Sequence, residues 1–284
     1  MAAFALVLLQ GLALEKGADR VTVRSGEETL AEYVFADPEI RRPYVARLRA
    51  PGGPQVTRAH PPVAGRDATD HATMHPGVWL GFGDLGGVDF WRNKGRVEAE
   101  RVEVEGGVLV ARLAYRDGER LVCRETARVS FERRPEGLAV RFDSAFESER
   151  PFAFGDQEEM GFGVRLATPL AVKQGGRILD SAGRRNEKEV WGKTAEWADY
   201  GGTVEGRRAG LLVVPHPGNF RPSWMHARDY GVLVANPFGR KAFTKGEPSR
   251  VEVKPGETFR LRFAALAYAG EIDAAAAAKS LVAE

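Results

Sequence analysis

Through most of its length the chain alternates apolar and polar residues at the two-residue period of half-buried strands, as in "DRVTVRS", "ETLAEYVF" and "SRVEVKPGETFRLRFAALAY". The longest such stretch fills residues 96–146 and is broken by "GG" at 106–107, "DG" at 117–118 and "EG" at 136–137. Breaks of this kind join antiparallel neighbours, so the stretch is expected to be a meander of about four strands. Only "EIDAAAAAKSLVAE", residues 271–284, has helical composition, with Asp273 placed to cap it. The pattern therefore predicts an all-β chain with one short C-terminal helix. More than about ten strongly twisted strands do not stay in one open sheet, and a large antiparallel two-sheet sandwich is expected. No repeat, linker or compositional shift divides residues 1–284, which are expected to form one β-sandwich domain.

The apolar run inside "MAAFALVLLQGLALEKGADR" is shorter than the roughly 20 residues that span a bilayer. Residues 1–13 read as a signal-peptide remnant or as a first strand. No Lys or Arg precedes the run and "LALEK" is a poor cleavage site, which favours the strand and a cytoplasmic location over export. Lys plus Arg total 41 against 39 for Asp plus Glu, with both signs interspersed, so neither nucleic acid nor a membrane is an expected partner. A lone cysteine, Cys123, excludes a disulfide framework and a cysteine-ligated metal site, and reads as a small buried strand residue.

Three segments break the alternation: residues 54–91, 155–200 and 215–240. The first and third hold His60, His71, His75, His216 and His226, and the tryptophans lie across all three. His71 and His75 are four apart, the spacing of a helical metal pair, but Pro76 and Gly77 argue for a loop whose rings can converge or diverge. "GFGDLGG" at 81–87 has no helix after it to bind phosphate and reads as a tight turn. "GDQEEMGFG" places Asp156, Glu158 and Glu159 just before a strand, where a carboxylate can serve as a base or accept a sugar hydroxyl. "GRRNEKEVWGKTAEWADY" and "NFRPSWMHARDYG" mix planar polar groups with aromatic faces, a combination suited to sugars.

The catalytic candidates are therefore His71, His75, His226, Glu159 and Glu187, and the substrate-binding candidates Asp70, Arg184, Asn186, Trp191, His216, Asn219, Trp224 and Arg228. Three functions fit them. The first is acid–base chemistry on a sugar or sugar derivative, by an epimerase or mutarotase-like enzyme, a lyase or a hydrolase. The second is carbohydrate binding without catalysis, and the third a metalloenzyme with His and carboxylate ligands. The expected partner is a small molecule or oligosaccharide; a cofactor is not specified, and a metal stays open.

The stretches "RRPYVARLRAPGGPQVTR", "TDHATMHPGVWLGFGDLGGVDFW", "MGFGVRLATPL", "GRILDSAGRRNEKEVWGKTAEWADYGG" and "HPGNFRPSWMHARDYGVLVANPFG" resemble, in this order, an uncharacterised bacterial PmoA-like family that carries the label "methane oxygenase". The resemblance covers nearly the whole chain from about residue 20. It implies a galactose-mutarotase-like supersandwich. Where the family pattern suggests a denser histidine run after "TDH", this chain has "DHATMHPG", so a three-histidine metal site does not carry over. The label also borrows from an integral membrane subunit, whereas no 20-residue apolar segment occurs here.

Overall fold

The computed structural model describes residues 11–204 and 206–283 together with the backbone of 7–9; the rest of the 1–13 segment lies outside the described residues. Two large antiparallel sheets dominate. The meander forms as its glycine turns predict, with strands Arg96–Glu105, Val108–Asp117, Arg120–Arg134 and Gly137–Glu147. It supplies half of an eight-stranded sheet, which Phe259–Ala269, Arg207–Pro215, Ala198–Val204 and Arg177–Asp180 complete in that order. A ten-stranded sheet contains Leu12–Lys16, Arg20–Ser25, Glu28–Val34, Tyr44–Ala46, Val78–Phe82, Met160–Arg165, Val232–Asn236 and Trp224–Arg228 as successive neighbours. Leu12 and Leu14 are buried in the core.

Between the sheets one continuous apolar cluster collects the inward positions, among them Val78, Leu80, Phe82, Phe162, Val164, Leu233 and Met225. Cys123 is buried in it, which fits its expected structural role. The helix Ala274–Leu281 starts at Asp273, whose Oδ1 accepts from Ala276 N at 3.0 Å. It lays Ala277, Ala278 and Leu281 on Leu212, Val214 and Leu266, on the outer face of the eight-stranded sheet. Two five-residue helical turns, Asn186–Val190 and Arg240–Thr244, interrupt the loops. Among the described residues no helix is long and apolar enough to cross a membrane.

Strand alternation decides which side chains leave the core. Because Val78, Leu80, Phe162, Val164 and Leu233 point inward, their neighbours Trp79, Gly163, Arg165, Val232 and Val234 face outward. The register sets Trp79, Gly163, Val234 and His226 in one row across four strands, with Arg165, Val232 and Arg228 in the next. One residue of segment 54–91, two of 155–200 and four of 215–240 are thereby brought to one sheet face.

Candidate functional site

The floor of the site is this outer face. Gly163 leaves room for the Trp79 indole: a Cβ there would lie 2.5 Å from Trp79 Cζ2. Gly81 sits in the same way beneath Trp91 and Arg42. Both tryptophans are almost fully buried, and among the described residues neither indole Nε1 has a hydrogen-bond partner.

Loop 69–75 lies over the floor, held by two buried arginines. Arg58 donates to the carbonyls of Ala68, Asp70 and His75 at 2.9, 2.6 and 3.1 Å. Arg42 donates to Trp91 O at 2.8 Å and also to Met74 O. Burial lowers both guanidinium groups to about 10, and they stay charged at neutral pH. A guanidinium with several donors can satisfy several carbonyls at once, which lets an irregular loop keep one shape.

This loop is not a helix, as Pro76 predicts, and its two histidine rings converge by stacking, with centroids 5.0 Å apart. Tyr230, His71, His75 and Trp79 form a near-parallel ladder with centroid spacings of 5.8, 5.0 and 5.4 Å. His71 is exposed and holds φ at +51°, an uncommon backbone region for a side chain of its size. Its Nδ1–H donates to Asp70 Oδ2 at 3.0 Å. Arg165, with a side chain only 1% exposed, grips both Asp70 oxygens at 2.9 and 2.8 Å. Partial burial opposes ionisation of Asp70, yet Arg165 and His71 hold its carboxyl well below the usual carboxylate range. Burial, together with the charge of Arg165, pushes His75 down to about 2, so it is neutral.

A second charged group lies beyond Tyr230. Arg228 donates to Glu187 Oε1 and to Glu158 Oε2, both at 2.9 Å, and its guanidinium carbon lies 5.8 Å from the Trp191 ring centre. Glu187 is further tied to the backbone N–H of Asp229 at 2.9 Å. Burial pushes Glu158 above its ordinary value against the pull of Arg228. His226 is buried and lowered to about 3 by burial and by Arg228. Its Nδ1 lies 3.6 Å from Glu158 Oε2, too far for a hydrogen bond, and has no hydrogen-bond partner among the described residues. Arg92 joins Glu159 at 2.7 Å at the edge of the same region. Burial raises Tyr230 against the charges of Arg165 and Arg228, so its hydroxyl lies within the field of both groups.

Of the residues expected from the sequence, Asp70, His71, His75, Glu159, Glu187, Trp191, Trp224, His226 and Arg228 come to this face or its rim. The other four do not. Arg184 braces a turn through Asp180 at 2.7 Å, and Asn186 accepts from Ile178 N at 3.0 Å. Asn219 clamps both backbone polar groups of Arg262 at 2.8 Å, on the opposite sheet, and His216 accepts from Gly218 N at 2.9 Å beside it. Asp156 caps the turn at 240–244 and receives Ser249 N at 2.6 Å. Arg42, Arg58, Arg165 and Tyr230 are the functional-looking residues absent from the sequence-derived candidates, whereas Glu158 belongs to the acidic run that the sequence offers as a base. A signal for Arg165 exists: "MGFGVR" carries glycine at two outward positions and then an arginine on the same face.

Among the described residues no three His, Cys, Asp or Glu side chains are grouped to hold a metal ion. The stacking of His71 on His75 agrees with this, because nitrogen lone pairs lie in the ring plane and those of stacked rings do not meet at one point.

Fold and site together define an antiparallel two-sheet β-sandwich with an ionic, aromatic-lined outer face. The chain belongs to DUF6807, a family of unknown function whose sequence profile matches residues 20–282. No curated protein matches it. Solved structures similar to it include the GalM/aldose epimerase homologue of C. elegans, at 8% identity and TM-score 0.39, covering 95% of this chain and 99% of that one. A galactose mutarotase related enzyme of Lactobacillus acidophilus shares 13% identity at TM-score 0.34, over 90% of this chain and 97% of that one. The GH36 alpha-galactosidase AgaA of Geobacillus stearothermophilus shares 11% identity at TM-score 0.40, over 89% of this chain and 41% of that one. These likenesses concern the arrangement of sheets and say nothing of chemistry.

Proposed function

We propose that the outer face of the ten-stranded sheet binds a sugar or sugar derivative and performs acid–base chemistry on it, with His71 as the proton-transferring group. The observation that carries this reading is the Asp70–His71 pair: Asp70 receives His71 Nδ1 at 3.0 Å and is itself fixed by two bonds from Arg165. A carboxylate so held sets the tautomer and orientation of the imidazole, which leaves Nε2 to give or take a proton. Glu158 is the second titrating group. Burial raises it while Arg165 and His71 keep Asp70 low, and environments that push two carboxyls apart are how one site holds an acid and a base together. Trp191, half-buried beside Arg228, offers its ring to the C–H side of a sugar, and Arg228 and Glu187 offer partners for its hydroxyls. His75 and His226, buried and neutral, serve as rigid neighbours.

The test is proton NMR in deuterated buffer with a panel of aldoses, ketoses and uronates, which detects anomer exchange, epimerisation, elimination and wash-out of protons next to a carbonyl. Turnover that disappears in His71→Ala, with melting temperature nearly kept, and in Asp70→Asn, with a fall of a few degrees, is expected. Full activity in both variants refutes the assignment.

One observation favours a second reading, binding without catalysis: Asp70, Glu158, Glu187 and Glu159 are all engaged by arginines. On that reading a sugar binds the wild type and His71→Ala with similar affinity, and no exchange is seen in either.

A further inference from the structure

On the opposite side of the molecule, away from the site above, a hollow of about 240 Å³ opens on the outer face of the eight-stranded sheet. The register places Arg128, Asp143 and Arg262 side by side on three adjacent strands, with Ser130 and Arg141 in the next row. The end of the C-terminal helix walls one side with Leu281 and Val282. Arg141 is occupied by Glu132 and the Leu281 carbonyl. By contrast, among the described residues the guanidinium groups of Arg128 and Arg262 make no hydrogen bond or ion pair. Among the described residues Asp143 has one distant ion-pair contact, 3.9 Å to Arg260, and its charge also reaches His216.

The Arg262 guanidinium lies across Gly218, where a Cβ would come 2.6 Å from its Nη2 and 3.1 Å from His216 Nδ1. His216 Nδ1 accepts from Gly218 N, which leaves the ring proton on Nε2 as a donor. Burial and Arg262 both lower its affinity for a second proton. The hollow thus presents two unpaired guanidinium groups, an imidazole N–H and a hydroxyl as donors, with one carboxylate between the two arginines.

We propose that this hollow is a binding site for a small hydroxylated monocarboxylate, a sugar acid of the uronate or aldonate class. Neighbouring strands are about 4.8 Å apart, so Arg128 and Arg262 stand roughly 10 Å from each other with Asp143 in the middle. A carboxylate can take one arginine as a bidentate partner. Asp143 disfavours a second negative charge, as on a phosphate dianion, and accepts hydroxyls. Leu281 and Val282 meet the apolar side of the ligand. The volume is below the range usual for drug-sized ligands, which limits the occupant to about one sugar unit.

The assignment does not depend on the function proposed for the other face, and its test reads His216 directly. Galacturonate, galactose and inorganic phosphate are titrated into the full chain while the His216 Cε1–H resonance, assigned with His216→Gln, is followed. The expected result is a saturable shift with galacturonate and none with galactose. Arg262→Gln, which removes the guanidinium beside His216, should weaken it by about tenfold or more, the usual effect of losing a hydrogen bond to a charged group, and His71→Ala should leave it intact. No saturable shift with galacturonate, an equal response to galactose, or phosphate binding as tight as galacturonate overturns the assignment.

Discussion

His75 stacks on Trp79 at 5.4 Å and on His71 at 5.0 Å, is 5% exposed, and has an Nδ1 without a partner. Burial and the charges of Arg165, His71, Arg42 and Arg58 push it down to about 2. In the unfolded chain the same ring titrates near 6.5. As pH falls below about 6.5 the unfolded state takes up a proton that the native state refuses, so the neutral ring disfavours folding increasingly toward acid. The slope is about 1.4 kcal/mol per pH unit, which integrates to roughly 2 kcal/mol between pH 7 and pH 5 and levels off only near the folded value. His75→Gln removes this titration and keeps a planar polar group. Urea unfolding of both proteins at pH 7 and pH 5 gives the comparison. The wild type should lose about 2 kcal/mol more than the variant over that interval. Glu125, Glu158 and Asp199 are all raised by burial and shift stability in the opposite sense, but they are present in both proteins and drop out of the difference. Parallel pH curves for wild type and His75→Gln would show that the ring accepts its proton in the folded state, and would refute the reasoning.

Asp70→Asn leaves buried Arg165 without its anionic partner; because Asp70 is 39% exposed, water screens the loss, and about 1–2 kcal/mol is expected at pH 7 by urea unfolding, less than for a fully buried pair. A change under about 0.5 kcal/mol would assign the pair no role in stability. Gly163→Ala places a Cβ 2.5 Å from the Trp79 ring, so a cost of about 1–3 kcal/mol is expected, with altered tryptophan fluorescence from the displaced indole. Asp273→Ala removes the cap on the C-terminal helix and should cost about 1 kcal/mol by the same denaturation assay.

Much of the architecture was legible in the order of residues because it rests on local physics. Strand alternation, the glycine turns of the meander and the Asp273 cap each depend on a few neighbouring positions, and each appears where the pattern indicates. The loop at His71 and His75 was also legible, since proline after His75 excludes the helix. What the sequence by itself determined, then, is a two-sheet sandwich and the segments that carry the chemistry-bearing residues.

The partners were decided only in three dimensions. Asp70 and Arg165 are 95 residues apart, and their union depends on the register that points Arg165 outward beneath the loop. Arg42 and Arg58 look like ordinary surface arginines until the fold buries them against loop carbonyls. The single segment "HPGNFRPSWMHARDYG" was divided between two sites, because His216 and Asn219 stay with the eight-stranded sheet while His226 and Arg228 cross to the other. Side-chain chemistry and local period are properties of short stretches of chain, but the meeting of groups from separate strands follows from register and sheet order, and these are set by the packing of the whole core.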